Sequence, residues 1–121
     1  MNKENPRVIL GLTEEIIIFW NKGQEKFNRQ IAVRIDSGAT SSSIDSQLAK
    51  DLNLGPVIRT RLVKSASGNN VRKMILAEVE IKGKVIKEEF SIADRSSLSY
   101  PILIGQNILK KGEFLIDPMI D

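Results

Sequence analysis

Asp36-Ser37-Gly38-Ala39 is the stretch of this 121-residue sequence in which residue types and spacing suit chemistry. The alternating apolar residues Ile31, Val33 and Ile35, with Arg34 on the other face, read as a strand that ends on the Asp36 carboxylate. A carboxylate at the end of a buried strand is held rigidly. Gly38 lets backbone N–H groups approach it, and the small neighbours leave room for a water. Two such carboxylates placed together share a proton, so that one can take a proton from water while the other donates to the carbonyl the water attacks. Asp-Ser-Gly is also ordinary turn chemistry, so the tetrapeptide needs support from the rest of the chain. The sequence carries one copy and shows no internal repeat, so a second carboxylate of this kind requires a second chain.

Composition removes several alternatives. There is no histidine, which excludes serine or cysteine triads of the usual kind and the commonest metal ligand. There is no cysteine either, so disulfides play no part and a zinc site would have to be built from carboxylates alone. No cofactor or metal is expected, and no Gly-x-x-x-x-Gly-Lys-[Ser/Thr] loop supports ATP binding. The length suits one domain over residues 1–121, burying roughly two thirds of its unfolded surface, with residues 1–6 polar and flexible. No apolar stretch resembles a signal peptide or a membrane span, so a soluble cytoplasmic protein without membrane partners is expected. The net charge of +3 and 5% aromatic content give neither a concentrated basic stripe nor stacking aromatics, so nucleic acid is not an expected partner.

The elements that must position Asp36 read as many short strands and few helices. Val8–Leu12 reads as a strand, Thr13-Glu14 as a turn, Glu15–Trp20 as a second strand, and Phe27–Asp36 as a third after the turn residues Asn21–Gln24. A hydroxyl-rich loop follows. Ser46–Pro56 reads as a short helix capped by Asp45 or Ser46 and closed by Gly55-Pro56, with Leu48 and Leu52 packing inward. Val57–Ser65 and Val71–Ile81 flank the polar tip Ala66–Asn70 as a hairpin, and a second hairpin turns at Lys82–Lys84 into Val85–Ala93. Asp94–Ser99 reads as a loop holding an Asp94-Arg95 ion pair. Tyr100–Gly105 is apolar without interruption and expected to be deeply buried, with a helical turn at Gln106–Lys111 and a last strand at Glu113–Pro118. The pattern predicts an all-β, barrel-like architecture with one or two short helices.

Two separated segments together resemble the retropepsin-like proteases. A strand ending in Asp36-Ser37-Gly38-Ala39 is followed much later by Ile102-Leu103-Ile104-Gly105 and the short helix Gln106-Asn107-Ile108-Leu109. The segments Pro56–Ala66, Ala93–Ser96, Tyr100–Gly105 and Phe114–Pro118 are similar to one bacterial and archaeal branch, long labelled ATP-dependent zinc proteases and later read as retropepsin-like peptidases. Some members of that branch trim poly-glutamate tails added to a ribosomal protein by an ATP-grasp glutamate ligase. The likeness runs from about Val8 to Pro118. The chain departs from the branch at Thr40 and Asp45, where a basic residue and a histidine are usual, and at Gln106, where arginine is common.

The resemblance implies a retropepsin-like acid-protease barrel working as a homodimeric aspartic endopeptidase. Asp36 corresponds to the catalytic aspartate, Ser37 to the hydroxyl tying two catalytic loops together, and Gly38 and Ala39 to the turn presenting them. Ile104 and Gly105 support that turn. Ser65, Ala66, Ser67, Gly68, Asn69, Asn70 and Arg72 form a flap over the substrate. Arg59, Arg61, Lys64, Arg72 and Lys73 lie in a stretch without acidic residues, from which an acidic or poly-glutamate peptide could gain attraction. A solvated basic face is the plainer account of the same residues. The implied partners are a second copy of the chain, a peptide or poly-glutamate-tailed protein substrate, and a glutamate ligase. Two rival readings are a non-catalytic binding or dimerisation module on the same fold and a structural β-domain joined to a partner enzyme.

Overall fold

The computed structural model describes residues 7–65 and 68–120. Their elements are β1 (Ile9–Leu10), β2 (Thr13–Lys22), β3 (Glu25–Ile35), β4 (Ser42–Asp45), α1 (Ser46–Asp51), β5 (Val57–Ser65), β6 (Gly68–Ile81), β7 (Lys84–Ala93), β8 (Ile102–Ile104), α2 (Gln106–Lys111) and β9 (Leu115–Ile116). The main sheet runs β2-β3-β8-β4-β7-β6-β5, and a further β2–β6 pairing closes the first six strands into a barrel. Strand β5 lies outside that closure as the partner of β6, so the β5–β6 hairpin projects from the barrel. A separate two-stranded sheet pairs β1 with β9 in parallel, Ile9 opposite Leu115 and Leu10 opposite Ile116.

Period-two alternation fills the interior. Ile16 and Ile18 from β2, Ile31, Val33 and Ile35 from β3, Ile75, Ala77, Val79 and Ile81 from β6, Phe90 from β7, and Ile102 and Ile104 from β8 are all buried. Each fully buried aliphatic side chain contributes about 1.5–3 kcal/mol. Helices α1 and α2 add Leu48, Ala49, Ile108 and Leu109 to the same core. The β6–β7 hairpin turns at Lys82 and Gly83, with φ of 49° and 84°, the left-handed pair that matches the twist of two antiparallel strands.

The sequence reading places most elements correctly and misplaces four features. Thr13 and Glu14 begin β2, with Thr13 opposite Arg34, instead of forming a turn. The Glu14 carboxylate accepts the Gly11 N–H at 2.7 Å, which moves the bend forward. The hydroxyl-rich segment after Asp36 is not all loop: Ser42–Asp45 is strand β4, parallel to β7 and antiparallel to β8. It reads as polar because the Ser42 and Ser43 hydroxyls are buried and hydrogen-bonded within the protein instead of facing water. Gly68, Asn69 and Asn70 belong to β6, because backbone pairing continues to Ser65 opposite Gly68. The expected tip residues Ala66 and Ser67, and residues 1–6, lie outside the described residues. Finally, Asp94 and Arg95 do not pair with each other. The Asp94 carboxylate accepts the Ser96 hydroxyl and N–H at 2.6 and 3.0 Å, contacts that hold it below the usual carboxylate range, while Arg95 turns inward.

Candidate active site

Strand β3 delivers Asp36 to a turn supported from both sides. The Asp36 N–H donates to the Ile104 carbonyl at 2.9 Å, continuing the β3–β8 ladder by one residue. Within the turn, Gly38 N–H donates to Asp36 Oδ1 at 2.9 Å and Ala39 N–H to the Asp36 carbonyl at 3.2 Å, fixing the carboxylate relative to its own backbone. Gln106 spans the outside: its N–H donates to the Ala39 carbonyl and its Nε2 to the Ser37 carbonyl, both at 2.8 Å. Gly105 is required by close approach, since a Cβ there would lie 2.5 Å from the Ser41 carbonyl oxygen and 2.8 Å from that of Ala39. Asp36 remains partly accessible, with Ser37 and Gly38 exposed beside it.

Behind the turn lies a polar node that the sequence reading missed. The fully buried Ser42 hydroxyl accepts the Gly105 N–H at 2.9 Å and donates to Asn107 Oδ1 at 2.8 Å. Asn107 Oδ1 also accepts the Ser42 N–H, and its Nδ2 donates to the Glu89 carbonyl at 2.9 Å. One asparagine thus ties α2, β4 and β7 together directly behind the Asp36 turn. Nothing in local patterning singles out Asn107, because its partners come from distant parts of the chain.

The approach to Asp36 is positively charged. Arg34 lies two residues earlier on the same face of β3, and a cavity of about 300 Å³ is lined by Arg34, Asp36, Arg95, Leu98, Ser99, Tyr100 and Leu103. Arg95 is fixed from several directions. Its N–H donates to Asp45 Oδ1 at 2.8 Å, its Nε to the Tyr100 carbonyl at 2.9 Å, and its Nη1 to Ser43 Oγ at 3.5 Å. Burial lowers the pKa of its guanidinium, and repulsion from Arg72 adds to this, against the pull of Asp45 and Asp36. Asp45 joins two elements, since its other oxygen caps α1 by accepting the Gln47 and Leu48 N–H groups.

The expected substrate-contacting residues divide. Arg61 donates from Nη1 to Ser41 Oγ at 2.9 Å, beside the Asp36 turn, and Arg72 stands opposite it across the hairpin. Arg59 is drawn away: its Nε and Nη2 donate to Glu89 at 3.1 and 2.7 Å, and that contact raises its pKa. Asn69 and Asn70 sit on the exposed outer part of the hairpin, opposite Lys64 and Val63. Arg34 and Arg95 were not among the expected site residues. The alternation of β3 could have shown Arg34; nothing in sequence pattern brings Arg95 to Asp36. Among the described residues, no group of three or more histidine, cysteine, aspartate or glutamate side chains could hold a metal ion.

A family model of the RimB-like proteins, described as retropepsin-like aspartic endopeptidase RimB, matches residues 44–121. The chain belongs to this family. The matched stretch begins in β4, just after the Asp36 turn, and includes both segments that support that turn, β8 and α2. Among solved structures, a Legionella pneumophila protein of unknown function is similar with a TM-score of 0.65 at 18% identity, over 93% of this chain and 95% of that one. An EIAV protease solved with an inhibitor gives 0.63 at 20% identity, over 82% and 85% of the two chains. The simian foamy virus protease gives 0.57 at 20% identity, over 81% and 91%. These likenesses establish the retropepsin-like fold. No protein of curated function matches the chain. No helix of the described residues is long and apolar enough to cross a membrane.

Proposed function

We propose that this protein is an aspartic endopeptidase that acts as a homodimer, with one Asp36 from each protomer activating a water for peptide-bond hydrolysis. The observation that carries the reading is the Asp36 turn itself. An accessible carboxylate accepts the Gly38 N–H within a turn braced by Ile104, Gly105 and Gln106, and is present once per chain in a family of aspartic endopeptidases. Two such carboxylates in close approach do not both ionise readily, so one acts as base on the water while its protonated twin donates to the substrate carbonyl. Ser37, exposed at the mouth of the turn, is the group that would meet its counterpart in the other protomer.

A dimer also suits the surface around the termini. Ile9, Leu12, Leu115, Met119 and Ile120 are between 37% and 90% exposed, and all belong to β1, β9 and their flanks. Ile9 and Leu115 are register partners, and the Leu12 N–H donates to the Ile120 carbonyl, so these residues form one apolar patch. Leu12 in turn accepts the Ile35 N–H, which places the patch next to the strand that delivers Asp36.

For substrate we propose an acidic peptide, a poly-glutamate tail being the leading case, in a cytoplasmic setting beside a glutamate ligase. The projecting β5–β6 hairpin would cover the bound peptide, with Arg61 and Arg72 on its inner side. The test is hydrolysis of a poly-glutamate-tailed peptide followed by mass spectrometry. Wild type should cleave it, and Asp36→Asn, which keeps an oxygen for the Gly38 N–H, should be folded and inactive. Full activity in that variant would refute the mechanism. No cleavage by a monomeric wild type would favour a binding module instead.

A further inference from the structure

We infer that the cavity beside Asp36 is a side-chain pocket for a carboxylate, with Arg34 and Arg95 as the residues that select glutamate next to the scissile bond. The inference rests on the reading that Asp36 is the hydrolytic carboxylate, and it relocates acid recognition from the hairpin to the floor of the cleft.

The two arginines approach from different elements. Arg34 stands on β3 in register with Leu103 of β8, so Arg34 and Leu103 are neighbours on the face that also carries Asp36. Arg95 comes from the loop after β7, and the cavity of about 300 Å³ is bounded by both, with Leu98, Ser99 and Tyr100 completing it. Leucine side chains at 98 and 103 suit the methylene stem of a glutamate, and the guanidinium groups suit its end. A volume of this size admits one side chain of that length.

Arg95 is preorganised for this task. Nε and Nη1 are spent on the Tyr100 carbonyl and Ser43 Oγ, which fixes the plane of the fork, and Nη2 has no hydrogen-bond partner among the described residues. A bound carboxylate would accept from that free edge and offset the repulsion that Arg72 exerts on Arg95. Arg59, by contrast, is already satisfied by Glu89 on the barrel wall. Of the hairpin arginines, Arg59 is therefore less available than the pair beside Asp36.

The experiment uses two peptides identical except for glutamate or glutamine at the residue flanking the cleaved bond. Cleavage is measured with the otherwise wild-type protein, and binding with the Asp36→Asn protein, each alone and with Arg34→Gln, Arg95→Gln, Arg95→Lys or, as a charge control on α1, Lys50→Gln. The parent should favour the glutamate peptide by about tenfold or more in both kcat/KM and Kd. Arg34→Gln and Arg95→Gln should each erase most of that preference, read as the ratio between the two peptides in the same variant, and Lys50→Gln should keep it. Arg95→Lys should recover only part, because it keeps charge and loses the fork. Equal binding of the two peptides by the parent, or an unchanged preference in both arginine-to-glutamine variants, would overturn the pocket. Arg34 is exposed, so its variant remains informative should Arg95→Gln fail to fold. Preferential binding that the arginine variants erase, with no cleavage of either peptide, would support the pocket and refute the hydrolytic reading.

Discussion

Replacing Gly105 by alanine should damage the Asp36 turn far more than it damages the fold. The new Cβ would sit 2.5 Å from the Ser41 carbonyl oxygen, 2.7 Å from the Ser41 carbonyl carbon and 2.8 Å from the Ala39 oxygen, where ordinary contact begins near 3.4 Å. All three are backbone atoms, so no side chain can swing aside and the 39–41 loop must withdraw by about 0.6–0.9 Å. Overpacking of that kind costs about 1–3 kcal/mol, or a fall in Tm of roughly 3–6 °C per kcal/mol for a chain of this size. The same displacement acts on the segment that presents Asp36, and misplacement approaching 1 Å lowers turnover by about a hundredfold. Gly23→Ala is the matched comparison. At φ +65° it strains the β2–β3 turn and should lose about 1 kcal/mol, but nothing lies within 4 Å of its Cβ. Thermal melts and peptide-cleavage rates on both variants separate the effects: Gly105→Ala should lose stability and activity, Gly23→Ala stability alone. Near wild-type cleavage by Gly105→Ala would refute the argument that β8 and α2 clamp the turn.

Two further outcomes follow from the same geometry. Ser42→Ala should destabilise by about 1–3 kcal/mol, measured by urea denaturation, because it removes the acceptor of the buried Gly105 N–H and a donor to Asn107; a loss below about 0.5 kcal/mol would mean that the polar node contributes little. Leu115→Lys places a charge in the exposed apolar patch of β1 and β9 without touching the core, so it should leave Tm of the isolated chain nearly unchanged and shift sedimentation toward monomer. An unaltered dimer in that variant would move the interface elsewhere.

Much of this arrangement was legible in the residues because local pattern and global fold agree along most of the chain. The alternation of Ile31, Val33 and Ile35 gave β3 and its terminal aspartate, and the unbroken Ile102–Ile104 run gave a strand flanked on both sides, by β3 and β4. Even there Leu103 differs: it faces the cavity beside Arg34 while its neighbours enter the core. Strand β4 was hidden because Ser42 and Ser43 carry the composition of a surface loop, and only partners far along the chain make their burial tolerable. Arg95 was hidden for the same reason. A local Asp94-Arg95 pair is the simplest reading of adjacent opposite charges, yet Ser96 satisfies Asp94 and leaves Arg95 to Asp45, Tyr100 and the cavity. Arg59 shows the converse, a basic residue that looks available until Glu89 of β7 is brought beside it.

The central claim is that the reactive centre is shared between two chains, each giving one Asp36. The direct measurement is a mixing series in which wild type and Asp36→Asn are unfolded together, refolded at constant total protein and assayed for cleavage of a poly-glutamate-tailed peptide. If each productive centre needs both carboxylates, activity follows the square of the wild-type fraction once the chains mix at random. Activity that falls linearly with that fraction would mean that one Asp36 is enough for hydrolysis, and would contradict the account.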